Sequence, residues 1–369
     1  MGSGAQRWVV RAAAVLLLVA SLVVALAACA PLGARGSKRS KPATHTLDAL
    51  SALTLPLTTT TPTVAITPSV TASVKPSVTP ILPNVGPDGP PPAPPTVSAT
   101  SAELYDATTG KTLYALSPDL ALPMASTTKI MTAVVALTYG KLDQMITVGP
   151  DAVAIENGGT SVAGLRLGEQ LSLKDLLYCL MLPSGDDAAV AIADGIAGSQ
   201  SSFVALMNLE VALLGLSHTH YANPHGLDAP DHHTSVSDLV RLTQYAMQSQ
   251  TFAQIVDTPS ITLAATATHH QFDLANTNEL LQNEPFAYDG AIGIKTGFTG
   301  PAGYCLVFMA RRPGGVLIGA VLGDATYDGR FTDAAALLDW AYNQISPTPT
   351  PTAGASPTAA PSPTASATP

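Results

Sequence analysis

Apolar residues follow three patterns along this chain, and the changes between them divide it. Residues 12–28 form an unbroken, uncharged apolar run behind Arg7 and Arg11. That run is short for a spanning helix and has the positive start and apolar centre of an export signal. Residues 30–97 are dominated by Pro, Thr, Ser and Val, with PPPAPP at 90–95, and have no aromatic residue and no repeating apolar spacing. Such a stretch cannot build a core and predicts a disordered spacer, with a polyproline contour on the order of 200 Å. Residues 346–369 have the same character. Periodic patterns occupy residues 98–345, about 250 residues, enough for one domain with a sizeable core.

Within 98–345 the periods specify elements. Residues 101–117 read as two short strands around a turn at Thr109-Gly110. Residues 126–139 space Ile130, Val134 and Leu137 as one helix face, ending at Gly140. Residues 172–181 predict a helix capped by Ser172, Pro183 breaks it, and 187–196 predict another, which leaves Ser184-Gly185-Asp186 in the corner between them. SSFVALMNLEVALLG reads as helical, THYANPHGLDAPDHHT as a polar loop, and SVSDLVRLTQYAMQ as a helix capped by Ser235 or Ser237. AIGIKTGFT, GYCLVFMA and GVLIGAVLG predict an antiparallel meander, and FTDAAALLDWAYNQI a closing amphipathic helix. Strands at both ends with helices between them predict an α+β fold.

The formal charge of −9, with no basic stripe, argues against a nucleic-acid partner. Of three cysteines, Cys29 ends Leu26-Ala27-Ala28-Cys29, similar to a bacterial lipobox, so residues 1–29 are a lipoprotein signal, an uncleaved membrane anchor or a plain signal. Each alternative puts the rest of the chain outside the cytoplasm. Cys179 and Cys305 read as two buried thiols, with a disulfide between them left open.

The candidate chemistry sits in three short motifs. Ser126 and Lys129 are three apart, on one helix face, so the amine can reach the hydroxyl. A serine hydroxyl needs an adjacent base to become a nucleophile, and a lysine can be that base once burial or a nearby positive charge lowers its pKa. A solvated helix turn would show the same four residues. Lys295-Thr296-Gly297 ends an apolar β run, where an edge strand can pair with an extended peptide; lysine offers charge, threonine a hydroxyl and glycine close backbone approach. Between these lie Ser184-Gly185-Asp186 and its rival Tyr221-Ala222-Asn223, with the helix–corner–helix setting favouring Ser184.

In this order and rough spacing, Ser-x-x-Lys, Ser-x-Asp and Lys-Thr-Gly resemble the penicillin-binding protein and serine β-lactamase superfamily. LPSGDDAA, NPHGLDAP, IGIKTGFT and AGYCLVFMA are similar to the serine D-Ala-D-Ala carboxypeptidases of low molecular weight. The resemblance covers nearly all of residues 98–345. It implies a β-lactamase/transpeptidase-like fold, an antiparallel sheet covered by helices with a mostly helical subdomain. It implies no cofactor, peptidoglycan stem peptides as substrate and β-lactams as inhibitors. By the same resemblance Ser126 is the acyl-forming nucleophile, Lys129 its base, and Ser184 a proton relay to the leaving D-alanine supported by Lys295. Thr296 and Arg330 hold the terminal carboxylate, and the backbone N–H groups of Ser126 and Phe298 form the oxyanion hole.

The sequence departs from that pattern at Asp186, where the family usually has asparagine, and in ending after the catalytic unit on a Pro/Thr tail. A carboxylate between Lys129 and Lys295 would favour protonated lysine and shift activity towards alkaline pH. LGLSHTHYANPHGLD contains no glutamate, which disfavours a class A β-lactamase. A D,D-endopeptidase and a non-catalytic penicillin-binding module stay open. His218, His220, His225, His232 and His233 crowd one loop and raise a zinc alternative, although no Glu or Cys has matching spacing.

Overall fold

The computed structural model describes residues 92–155, 160–282 and 285–345, all within the unit spanning 72–369; the leader with Cys29, most of the spacer and the tail lie outside the described residues. In chain order the elements are β1 (Ser101–Asp106), β2 (Lys111–Leu116), a 3-10 turn (Ala125–Thr128), α1 (Lys129–Tyr139), β3 (Met145–Thr147) and α2 (Pro150–Ala154). There follow β4 (Gln170–Ser172), α3 (Leu173–Met181), α4 (Asp186–Ala197), α5 (Gln200–Leu214), α6 (Val236–Ala246) and α7 (Gln250–Val256). The rest is β5 (Ser260–Leu263), β6 (Phe272–Ala275), a second 3-10 turn (Glu279–Leu281), β7 (Ala291–Thr299), β8 (Gly303–Arg312), β9 (Gly315–Asp324) and α8 (Gly329–Ile345).

The main sheet has the order β2-β1-β9-β8-β7, every pair antiparallel, which leaves β7 as an edge strand. Its central strands are buried on both faces. On β8, Cys305, Val307 and Met309 join the core shared with the helical lobe, while Leu306, Phe308 and Ala310 join the core under α8. Burial on both faces is why GYCLVFMA reads as an unbroken apolar run instead of an alternating one. Gly319 lies opposite Phe308, and a Cβ there would come within 2.3 Å of the Phe308 ring.

The lobe is built around α1, whose residues 129–136 are all buried. The Ser172 hydroxyl accepts the Asp175 N–H and caps α3. Ser235 caps α6 in the same way, while Ser237 donates to Asp119. The Cys179 and Cys305 thiols are free and buried, so the disulfide alternative does not hold. Two features depart from the sequence reading. The segment predicted as a helix from 126 starts instead as a 3-10 turn that becomes helical at Lys129. The antiparallel pairs β3–β4 and β5–β6 were not predicted, because strands of three or four residues are too short to display a period.

Candidate active site

Ser126 sits in the 3-10 turn with its neighbour Ala125 at φ +47°, a left-handed conformation that costs a non-glycine residue about 1–2 kcal/mol. The surroundings hold that turn in place. Thr127 Oγ1 donates to the Met124 carbonyl at 2.7 Å and Thr128 Oγ1 to the Ala125 carbonyl at 2.8 Å. Behind Thr128, the His232 ring accepts the Ala222 N–H on Nδ1, which puts its proton on Nε2, 2.9 Å from Thr128 Oγ1. Gly226 (φ +102°) and Gly297 press against the same turn. A Cβ on Gly226 would lie 2.1 Å from the Ala125 carbonyl oxygen, and one on Gly297 3.1 Å from the Ser126 backbone nitrogen.

One helical turn on, the Lys129 amine is fully buried and meets three oxygens: Ser126 Oγ at 2.8 Å, Asp186 Oδ1 at 2.5 Å and the His225 carbonyl at 2.6 Å. A carboxylate and a carbonyl can only accept. A neutral amine therefore spends both N–H bonds on them and turns its lone pair to Ser126, whose hydroxyl can donate. Burial holds the Lys129 pKa below the usual lysine range; Asp186 pulls it back up, but by less. Asp186 therefore acts in the direction the sequence reading expects, favouring the ammonium form, while desolvation sets the net direction of the shift.

Ser184 closes the corner between α3 and α4. It has φ +67°, is buried, and its hydroxyl has no hydrogen-bond partner among the described residues. A strained residue with an unspent buried hydroxyl marks a functional position more often than a structural one. The rival Tyr221 and Asn223 serve as loop braces: the Tyr221 backbone is clamped by Asn208, and Asn223 receives the Gly226 N–H and donates to the Leu227 carbonyl. Asp187, which the sequence reading passed over, accepts N–H bonds from residues 163, 164 and 165 at 2.9–3.1 Å and so fixes the loop beside the corner. Its signal was present only as a second aspartate at a helix start, where side chains usually cap.

Lys295, on edge strand β7, is also fully buried; its Nζ donates to the Thr296 carbonyl at 3.1 Å. Burial depresses its pKa well below normal, and the charge of Lys129 adds to that. Thr296 Oγ1 shares a 2.6 Å hydrogen bond with Thr277 Oγ1, a partner absent from the sequence reading. Arg330 lies beneath the same strand end. Its Nη1 donates to the Gly297 carbonyl at 3.2 Å, and its buried Nε has no hydrogen-bond partner among the described residues. Phe298 exposes 54% of its surface next to these groups.

The loop histidines do not gather. His225 contributes its carbonyl to Lys129, and burial pushes its ring pKa down to about 3. His232 braces the Ser126 turn, with its pKa lowered by burial to about 4. His220 and His233 flank Asp231, and His218 faces Asp119. Among the described residues no group of three or more His, Cys, Asp or Glu side chains could hold a metal ion.

Against known proteins, the D-alanyl-D-alanine carboxypeptidase family (peptidase S11) matches residues 90–326. A D-alanyl-D-alanine carboxypeptidase of Streptomyces sp. strain K15 is 36% identical over 262 residues, 67% of this chain and 88% of that one. Carboxypeptidases DacF of Bacillus subtilis and DacA of Escherichia coli K12 are 34% and 38% identical over 68% and 67% of this chain, which spans 64% and 61% of their lengths. Among solved structures, the Streptomyces K15 DD-transpeptidase superposes with a TM-score of 0.64 at 35% identity, covering 68% of this chain and 99% of that one. A D-alanyl-D-alanine carboxypeptidase from Mycobacterium tuberculosis H37Rv gives 0.62 at 32% identity, covering 70% and 96%. A serine held in a strained 3-10 turn, a buried lysine and an edge-strand Lys-Thr-Gly on this α+β fold, with these similarities, place the chain in the D-alanyl-D-alanine carboxypeptidase family.

Proposed function

We propose that the chain is a serine D,D-carboxypeptidase that removes the terminal D-alanine from peptidoglycan stem peptides and is acylated by β-lactams. The observation that carries this is the Lys129 amine, 2.8 Å from Ser126 Oγ and otherwise surrounded by pure acceptors. In the first step Ser126 Oγ attacks the carbonyl carbon of the penultimate D-alanine and its proton passes to Lys129 Nζ. The Ser126 and Phe298 N–H groups receive the developing oxyanion. Collapse breaks the C–N bond, and the proton returns to the departing amine by way of the Ser184 hydroxyl, with Lys295 supporting the transfer. Water then attacks the ester on Ser126 as Lys129 takes its proton; the bond from the acyl carbon to Oγ breaks, Lys129 returns the proton to Ser126 Oγ, and the shortened peptide leaves with a new carboxylate. Thr296 and Arg330, whose Nε is unspent, orient the substrate carboxylate.

We further propose that residues 1–29 export the chain to the cell envelope, where acylation of Cys29 anchors it and the Pro/Thr-rich spacer lets residues 98–345 reach the wall. Mass spectrometry of the mature N-terminus would show an acyl-modified Cys29, and Cys29→Ser would abolish that mass.

The activity is tested on the full chain with a fluorescent penicillin and a D-Ala-D-Ala peptide. Covalent labelling and D-alanine release, both lost in Ser126→Ala and both insensitive to chelator, are the expected result. Labelling without release from any peptide would identify a binding module instead.

A further inference from the structure

Thr277 has no step of its own in the proposed reaction, yet it joins both walls of the cleft. It lies between β6 and the second 3-10 turn and is exposed, while its neighbours Asn276 and Asn278 are buried. Those neighbours fix the segment. Asn276 Nδ2 donates to the Val256 and Thr258 carbonyls at 3.3 and 3.2 Å, and its Oδ1 accepts the Asn278 N–H at 3.0 Å. Held on both sides, Thr277 makes two contacts with distant parts of the chain. Its backbone N–H donates to the Leu182 carbonyl at 3.1 Å, two residues before Ser184, and its Oγ1 lies 2.6 Å from Thr296 Oγ1. Thr296 is buried, so protein groups and not bulk water set the direction of its hydroxyl. Two hydroxyls that share one hydrogen bond spend one of their two protons on it. A carboxylate only accepts, so Thr296 can hold one only when its own proton points there. The bond between the threonines must then run from Thr277 Oγ1 to Thr296 Oγ1.

We infer that Thr277 is a positioning residue: it donates to Thr296, turns that hydroxyl's proton towards the terminal carboxylate of the substrate, and so sets the preference for a chain end that carries negative charge. This deepens the proposed function and rests on it. Thr277 touches no reacting atom in this role and acts through Thr296. With its lone pair occupied by Thr277, Thr296 presents a donor alone. A donor facing a carboxylate makes a charge-assisted bond, roughly twice as strong as one to a neutral carbonyl. A hydroxyl that already accepts one bond also donates more strongly, which adds to the same preference. Without the Thr277 hydroxyl, Thr296 can turn either way and accept an amide N–H as readily as it donates to a carboxylate. The Leu182 contact ties this device to the corner that carries Ser184, so the group that reads the chain end and the group that returns the proton share one support.

The test uses the full chain and two peptides, acyl-D-Ala-D-Ala with a free C-terminus and the same peptide as its C-terminal amide. The readout is the ratio of kcat/KM for acid over amide within each protein, which cancels any general loss of activity. Wild type should prefer the acid. Thr277→Val should reduce that preference by about fivefold, and Thr277→Ser should keep it. Thr296→Val should lower the ratio at least as far, and adding Thr277→Val to it should change the ratio no more, since the two hydroxyls act in series. A wild type without preference, a ratio unmoved by Thr277→Val, or an equal loss in Thr277→Ser overturns the inference while leaving the carboxypeptidase standing. A loss from Thr277→Val that persists in full in the Thr296→Val background also overturns it, because Thr277 would then meet the carboxylate directly. Cleavage of neither peptide by wild type overturns the proposed function and this inference with it.

Discussion

At the scale of single residues, the site turns on a buried amine held between two opposing effects. Burial lowers the Lys129 pKa and Asp186 raises it, with burial the larger. In the proposed mechanism Lys129 must be neutral to take the Ser126 proton, so acylation should fall as pH drops through its pKa. Asp186→Asn removes the partner that favours the ammonium form and lowers that pKa further. The acid limb of the penicillin acylation rate should therefore move to lower pH in Asp186→Asn, as read by stopped-flow labelling across a pH series. A limb that stays in place would separate Asp186 from the base. Ser126, Lys129 and Lys295 were legible in the sequence because each carries a distinctive group at a telling spacing. Thr277, Asp187 and the His225 carbonyl were not, since they act through contacts 19, 22–24 and 96 residues apart that no local pattern encodes.

At the scale of elements, the catalytic geometry is a contact between edge strand β7 and the 3-10 turn of Ser126. Gly297 makes that contact possible, since a Cβ would stand 3.1 Å from both Ala125 Cβ and the Ser126 nitrogen. Gly297→Ala should slow acylation by about tenfold or more through displacement of the oxyanion donors, with thermal stability lowered by only about 1–2 kcal/mol. Penicillin labelling rates alongside a melting curve would check both halves. The caps at Ser172 and Ser235 and the three strands of the meander were readable from sequence, because they depend on neighbours along the chain. The 3-10 start of the nucleophile helix was not, because the left-handed Ala125 is imposed by Gly226 and Gly297 from elsewhere in the fold.

For the whole molecule, the sheet separates two cores, and its close packing can be tested where the strands cross. Gly319→Ala drives a methyl into the Phe308 ring and should cost about 1–3 kcal/mol, while Phe308→Leu in that background should recover part of the loss. Thermal melts of the two single variants and the double variant measure this coupling. Acid sensitivity is also a property of the fold. The His232 pKa is depressed from 6.5 to about 4, so the unfolded chain binds a proton that the folded one refuses. The stabilising contribution is complete above pH 6.5 and is lost as pH falls towards 4. Urea unfolding of His232→Gln should show a shallower loss of stability over that window than wild type.

Composition and periodicity by themselves marked where periodic elements lie and that they make an α+β fold, because these follow from local spacing and residue type; Ser126, Lys129 and Lys295 became the candidate groups through the resemblance of three ordered motifs to a superfamily. Sequence could not determine the protonation balance at Lys129, the strain at Ala125 and Ser184, or the contact of Thr277 with Thr296. Those depend on which distant groups meet with water excluded, and tertiary structure alone fixes that.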